Sequence, residues 1–280
     1  MTTIEFSLYR IKFIRPIQSD IMHNNDLTPQ DFFISALKEK PSYELKAGSV
    51  WHIGNLEFYE NDLTGTFAVG RTSKSKQEQY DEQSKDFIDS STSESPYTTC
   101  YFNTDIGFLV IGKKNNLSPK SDIVTNQLVN LLSSTSEIFE NDIRVEIEPI
   151  PDPEKFINKL KKAHTITSFT ATFGGPNPKD SDEYFQRPMS VYLNEANGTS
   201  GRTVIQGDNL ASEALIDVTK STAATGNEAS AKVKITQNSE FENIHLNGGA
   251  VKRRIEESES GRNILKKFHG IYNLIRGNKL

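Results

Sequence analysis

The chain has 280 residues, of which 35% are hydrophobic and 25% charged, so it has enough apolar material for a packed core in one or two domains. Its net charge is −5. Because it has no run of 18 apolar residues, we expect no membrane-spanning helix. Charges interrupt the apolar N-terminal stretch, so we expect no signal peptide, a cytoplasmic location, and a buried structural thiol at the single cysteine, Cys100.

The first predicted element is a long β-strand over Thr2–Ile14. Apolar residues alternate along 4–8 and then, on the opposite parity, along 11–13. One extra residue in a strand shifts the parity in this way, so the pattern predicts a β-bulge near Tyr9 or Arg10.

A helix follows, and its start has the usual capping signals. Thr28 is suited to the N-cap, Pro29 to the first helical position, and Asp31 to the first turn, where an acidic group meets the positive end of the helix dipole. The helix is predicted to end near Lys40, and residues 42–72 are predicted to form strands.

The next segment, residues 71–95, is polar throughout and predicts a loop or lid around one short helix. Residues 96–114 then predict a hairpin with its turn at 103–105. Apolar side chains with helical spacing predict an amphipathic helix over 118–139, and the alternation along 143–148 predicts a half-buried strand.

The C-terminal part continues with further alternating and amphipathic segments. These are a helix from Asp152, a strand over Thr165–Phe173, a turn over Gly174–Pro178, a helix capped by Asp180, a strand over Arg202–Ile205, a helix from Asp208 to about Lys220, a strand over Ala231–Ile235 and an amphipathic helix from Gly261.

Strands and helices mix without a regular βαβ alternation, which predicts an α+β fold of mostly antiparallel sheets with packed helices. We predict two domains. The first is an N-terminal α+β domain over residues 1–150, and the second is a C-terminal α+β domain over 151–280 with a basic terminal helix.

Motifs for catalysis and for cofactor binding are absent from the sequence. Neither a GxGxxG nor a GxxxxGK[ST] phosphate loop occurs, there is no GxSxG elbow, and the five histidines are scattered without metal-ligand spacing. We therefore predict no catalytic residue, no metal site and no cofactor.

Two pairs of carboxylates keep a metal-dependent nuclease open as an alternative, because metal-assisted phosphodiester cleavage needs anionic ligands beside a lysine. Glu146 and Glu148 lie on one face of a predicted strand, and Asp180 and Asp182 precede a predicted helix. The nearest downstream lysine is Lys155, so the lysine expected next to the first pair is missing.

Basic residues are the most suggestive feature of the sequence. Residues 1–150 carry a net charge of −8, residues 151–280 carry +3, and the last thirty residues carry +5. Such an asymmetry is typical of a surface that faces a polyanion. The candidate DNA-binding residues are Lys252, Arg253, Arg254, Arg262, Lys266 and Lys267, with a second set of Arg71, Lys74 and Lys76.

Several stretches within residues 5–175 also follow a recognisable order. They are Tyr9-Arg10 in the first strand, a strand pair from Trp51 to Thr72 ending in a basic-polar segment, Pro96, a hairpin around Asp105-Ile106-Gly107-Phe108, the 118–139 helix, and Val145-Glu146-Ile147-Glu148-Pro149.

In this order and in length the chain resembles the RexA-like phage-exclusion proteins of lambdoid prophages. The resemblance implies a homodimer that binds double-stranded DNA largely without sequence preference. It also implies a membrane-protein partner encoded nearby, two domains with an RdgC-like fold, and no established catalytic site. The chain departs from this pattern in being acidic overall.

Our leading hypothesis is therefore a non-enzymatic DNA-binding component of an anti-phage defence or phage-exclusion system, without direct membrane insertion. The first alternative is the metal-dependent nuclease. The second is a sensor or scaffold that binds a phage protein, in which the acidic N-terminal half mimics DNA or faces a basic partner.

Overall fold

The computed structural model describes residues 2–15, 27–45, 48–59, 62–174, 183–246 and 248–277, with the backbone alone for 74–79 and 88–92. The fold is α+β, as predicted, and its strand pairs are antiparallel. The predicted helix cap at Asp180 lies outside the described residues.

The described residues contain thirteen strands: β1 (Thr3–Ile14), β2 (Ser42–Glu44), β3 (Val50–Phe58), β4 (Thr64–Asp81), β5 (Asp86–Glu94), β6 (Tyr97–Asn103), β7 (Phe108–Gly112), β8 (Arg144–Pro149), β9 (Thr165–Gly174), β10 (Ser200–Gln206), β11 (Ala229–Lys234), β12 (Glu242–His245) and β13 (Lys252–Glu256). The helices of this part of the chain are α1 (Pro29–Glu39), α2 (Ser121–Ser133), α3 (Ser136–Glu140), α4 (Glu154–Lys162), α5 (Gln186–Glu195), α6 (Ser212–Ala224) and α7 (Gly261–Arg276).

The larger sheet has the strand order β13-β1-β7-β6-β4-β3-β2, with β8 also paired to β1 and β5 to β4. One edge of β1 pairs with β7. Its other edge is shared, because β13 pairs with Thr3–Ser7 and β8 with Tyr9–Ile14. The smaller sheet has the order β10-β9-β11-β12.

The predicted bulge in β1 is wrong. The registers of β1 with β7, β8 and β13 run without a shift, and every side chain from Phe6 to Phe13 is buried. Phe6 and Leu8 pack into one hydrophobic cluster, whereas Ile11 and Phe13 pack into another. The change of parity therefore reflects a strand that is covered on both faces rather than an inserted residue.

One face of the larger sheet is covered by α1, α2 and α3. Phe33 of α1 packs against Phe13 and Phe102, with ring centroids 5.3 and 5.5 Å apart. The predicted N-cap at Thr28 is confirmed, and it is part of a capping box in which Thr28 and Asp31 bond reciprocally to each other's backbone amides. Cys100 is buried in this core, as predicted, and burial raises the pKa of its thiol.

The opposite face of the larger sheet is covered by α7. Phe268 lies 6.4 Å from Phe6 and Tyr272 lies 6.0 Å from Phe108, measured between ring centroids. In turn α6 contacts both α7 and β9 of the smaller sheet, so that one cluster extends from Phe6 to Phe169. The predicted domain division at residue 150 stays a prediction, while this cluster and the β1–β13 pairing connect residues on both sides of it.

Residues 71–95 do not form the predicted loop and short helix. They form a two-stranded arm, in which β4 pairs with β5. The first pair is Ser73 with Glu94, and the last, at the tip, is Asp81 with Asp86. Tyr80 and Phe87 meet at its tip with ring centroids 5.2 Å apart, and they are 53% and 81% exposed. The arm was missed because its sequence is polar on both parities and so lacks the alternation typical of a half-buried strand.

Gly65 is required near the start of β4, where it pairs with Phe58 of β3 and Phe102 of β6. A Cβ atom there would lie 2.7 Å from Cζ of Phe102 and would also meet the carbonyl oxygen of Glu57. We expect Gly65→Ala to lower the free energy of unfolding by about 1–3 kcal/mol, because the core must shift to admit the methyl group. The matched control is Gly54→Ala on β3, where nothing lies within 4 Å of the added Cβ. Equal urea midpoints for the two variants would contradict the expectation.

Candidate nucleic-acid interface

A groove of about 300 Å³ lies between the N-terminal half of α7 and the strand ends of the larger sheet. The sheet contributes the residue after β3, the last residue of β6 and the first residues of β4 and β7. Helix α7 contributes residues at i, i+3, i+4 and i+7, which share one helix face. The lining residues are Tyr59, Thr64, Asn103, Phe108, Arg262, Leu265, Lys266 and His269.

The start of α7 lies unusually close to the sheet. Ser260 caps the helix by accepting a hydrogen bond from the amide of Asn263 at 3.4 Å. A Cβ atom at Gly261 would lie 2.7 Å from Cε1 of Tyr101 and would also meet the hydroxyl of Tyr59. The glycine at this position therefore permits the approach that closes the groove.

The groove combines an apolar floor with a cationic rim. Phe108 and Leu265 are buried and form the floor. The guanidinium of Arg262 lies 5.7 Å from the ring centroid of Tyr59, and the ring of His269 lies 6.4 Å from that of Phe108. Such a site can hold an anionic group at its rim and a flat apolar group deeper inside.

Burial, reinforced by the charge of Glu57 and opposed by that of Arg262, raises the pKa of Tyr59. The Tyr59 hydroxyl therefore stays protonated at neutral pH and can donate a hydrogen bond into the groove. Asn103 lies at the same edge of the sheet as Tyr59, and its Oδ1 accepts hydrogen bonds from the amides of Asp105 and Ile106, at 3.0 and 3.3 Å. These bonds fix the orientation of the Asn103 side chain.

Two of the predicted DNA-binding residues, Arg262 and Lys266, line this groove. Lys267 follows on the same helix and forms an ion pair with Glu259, with 2.5 Å between Nζ and Oε2. Arg253 lies opposite Phe6 in the β1–β13 pair, so it shares the sheet face that α7 covers.

The other predicted residues of β13 point away from that face. Lys252 and Arg254 lie opposite Ser7 and Glu5 in the register, and the Nζ of Lys252 is 3.6 Å from a carboxylate oxygen of Glu5. Both side chains are exposed. They form a separate basic edge on the opposite side of the sheet from the groove.

The second predicted set lies apart from the first. Arg71 is opposite Trp51, on the sheet face covered by α1–α3, and its Nε is buried without a hydrogen-bond partner. Lys74 and Lys76 belong to the arm, and their side chains lie outside the described residues. Four strand spacings, or about 19 Å, separate β13 from β4. The nine predicted residues therefore do not form one continuous surface.

The sequence-based reasoning missed Tyr59, Asn103 and His269, because only the fold brings them beside α7. It also missed a basic surface that was visible in the sequence. Helix α4 carries four exposed lysines, one of which pairs with Glu242 at 3.5 Å. They are Lys155, Lys159, Lys161 and Lys162.

The carboxylates Glu146 and Glu148 do have a lysine beside them. Lys12 lies opposite Glu146 in the β1–β8 register, and Arg10 lies opposite Glu148. Desolvation lowers the pKa of the buried Lys12, although Glu146 opposes this effect, and desolvation also raises the pKa of Glu148. The sequence could not reveal this lysine, because it comes from a strand at the other end of the N-terminal half.

Metal ligation has little support in the described residues. Among them, no group of three or more His, Cys, Asp or Glu side chains is arranged to hold a metal ion. The other candidate carboxylates, Asp180 and Asp182, lie outside the described residues.

The raised pKa of Glu148 predicts a pH-dependent stability. Because the folded protein binds this proton more tightly than the unfolded chain does, the carboxyl stabilises the fold below about pH 4.5, and that contribution is lost as the pH rises through the folded-state pKa. We expect Glu148→Gln to become progressively more stable than the parent protein as the pH increases from 4 to 7. Unfolding midpoints across this range measure the difference. The exposed Glu140→Gln is the control, and the same pH trend in both variants would refute the effect.

No protein-family model matches the chain, and no curated protein shows a significant match to it. Among the described residues, no helix has the length and apolar character needed to cross a membrane.

Proposed function

We propose that the chain is a non-enzymatic, largely sequence-nonspecific DNA-binding component of an anti-phage defence or phage-exclusion system. Its resemblance to RexA-like proteins supports the defence role, a homodimer, and a membrane-protein partner encoded by a neighbouring gene. The single cysteine and the charges in the N-terminal stretch support a cytoplasmic location. The single observation that supports DNA binding is the groove lined by Arg262 and Lys266, in which the guanidinium of Arg262 lies beside the ring of Tyr59.

The chemistry of this binding is mainly electrostatic. Lysine and arginine side chains contact backbone phosphates and release the counterions condensed on them, which gives affinity without reading the base sequence. Lys267 contributes less than its neighbours, because a contact with DNA must compete with its ion pair to Glu259. Binding is confined to the basic surfaces, since the protein as a whole is acidic.

Fluorescence polarisation with a random-sequence duplex, measured over a salt series with Mg²⁺ present, tests the proposal. We expect binding that weakens steeply with salt, and intact DNA when the sample is run on a gel. Absence of binding at low salt would reject DNA binding and favour the sensor that binds a phage protein. Cleaved DNA would favour the nuclease.

The nuclease is a second candidate because Lys12 lies beside Glu146 and Glu148. Two carboxylates and a lysine are the groups that metal-assisted phosphodiester cleavage requires. Plasmid cleavage with Mg²⁺ or Mn²⁺ that disappears in Glu146→Gln would support it. Intact plasmid with either metal would exclude it.

A further inference from the structure

The groove beside α7 is larger than phosphate binding alone requires. Side chains that neutralise a DNA backbone need no pocket, whereas this open groove has a volume of about 300 Å³, at the lower end of the range of small-molecule sites. Its floor, Phe108 and Leu265, is apolar, so a charged group is not the natural occupant of the deeper part.

The walls of the groove carry an aromatic ring and polar side chains, which are the groups that bind nucleobases. Tyr59 offers an aromatic ring, and the planar guanidinium of Arg262 lies 5.7 Å from its centroid, so a flat group that displaces the guanidinium or stacks on it meets a planar partner. Thr64 and Asn103 follow Tyr59 along the same edge of the sheet and place a hydroxyl and an amide where they can meet the polar edge of a base.

We infer that the groove takes up one unpaired nucleobase of a DNA strand, while Arg262 and Lys266 hold the adjoining phosphates. This inference rests on the proposed DNA binding and extends it. A base inside a duplex has both faces stacked and its edge paired, so it cannot enter the groove. The protein therefore prefers single-stranded DNA to duplex, without preference for a particular sequence.

The test uses a single-stranded oligothymidine that contains one 2-aminopurine and a fluorescein at its far end, together with the matching duplex. Anisotropy of the fluorescein reports binding. Fluorescence of the 2-aminopurine reports stacking of that base on an aromatic ring. We expect tighter binding of the single strand, and quenching of the 2-aminopurine on the single strand alone.

Two variants of Tyr59 separate stacking from packing. Tyr59→Leu keeps apolar bulk next to Gly261 but removes the aromatic face, so we expect loss of the quenching and an about tenfold loss of affinity for the single strand. Tyr59→Phe keeps the ring and should retain both signals. If Tyr59→Leu fails to fold, the quenching in the parent protein still decides the question.

The remaining outcomes are distinct. An increase in fluorescein anisotropy without any change in 2-aminopurine fluorescence would overturn the base site and leave DNA binding in place. If neither DNA shows an increase in anisotropy, DNA binding itself is overturned, and the base site with it.

A third experiment titrates the protein with deoxyadenosine monophosphate alone. Binding of this nucleotide without quenching in the strand would assign the groove to a free nucleotide and overturn the strand proposal.

Discussion

Replacing both Arg262 and Lys266 by glutamine is expected to weaken binding to DNA duplexes of every sequence by about a hundredfold at low salt. Each charge-assisted contact with a phosphate is worth about 1.5 kcal/mol, or about tenfold in affinity. The slope of log affinity against log salt should also flatten by about two units, since two counterions fewer are released. Fluorescence polarisation at several salt concentrations measures both quantities.

Two further double variants control for the loss of charge. Lys161→Gln with Lys162→Gln removes the same charge from α4, and Lys252→Gln with Arg254→Gln removes it from the far face of β13. We expect both to change affinity much less than the groove variant, the second partly because Lys252 is already paired with Glu5. Equal losses in all three would mean that net charge, and not the groove, governs binding.

Replacing Arg10 by methionine is expected to lower the free energy of unfolding by about 3–5 kcal/mol. The Arg10 side chain is fully buried. It donates from Nε and Nη2 to the carbonyl oxygen of Ala224 at 3.0 and 2.6 Å, from Nη2 to the hydroxyl of Tyr272 at 2.6 Å, and to the carbonyl of Ile106. Methionine fills a similar volume but leaves these acceptors buried without their donor, at about 1–3 kcal/mol each.

The acceptors of Arg10 explain why so large an effect is expected from one side chain. Ala224 is the last residue of α6, whose terminal carbonyls have no partner within the helix. Tyr272 lies on α7, and Ile106 is in the turn between β6 and β7. One guanidinium therefore joins the first strand to two helices and a turn that are far from it in sequence.

Urea unfolding monitored by circular dichroism measures the loss. Arg144→Met is the matched control, because Arg144 is exposed and its ion pair with Glu146 is worth at most about 1 kcal/mol. Arg10→Lys should be intermediate, since an ammonium keeps the charge but cannot reproduce the fork of donors. A midpoint for Arg10→Met close to that of Arg144→Met would show that the buried contacts contribute little.

The predicted loss of DNA affinity and the predicted loss of stability both concern helix α7. Its inner face packs through Phe268 and Tyr272, and the contact with Arg10 anchors the second of these. Its N-terminal half carries Arg262 and Lys266 at the groove. A binding site on a helix that the core holds in this way is better preorganised than one on a loop.

Features that depend on neighbouring residues were predictable from the sequence. The capping box of Thr28 and Asp31, the amphipathic helix α7 and the alternating strand β8 each depend on residues at most four apart, so local patterns predict them. The α+β class followed from the order of such elements. In the same way, composition was enough to single out the basic C-terminal part.

Pairings between distant segments were decided only by the tertiary structure. Tyr59 and Arg262 meet because Gly261 lets α7 approach the sheet, and Lys12 meets Glu146 because β1 and β8 are neighbours. β1 was misinterpreted because both of its faces are buried, and the arm because its sequence is polar on both parities. Periodicity reports which side of one segment is buried, whereas a binding site depends on which segments become neighbours, and long-range packing determines that.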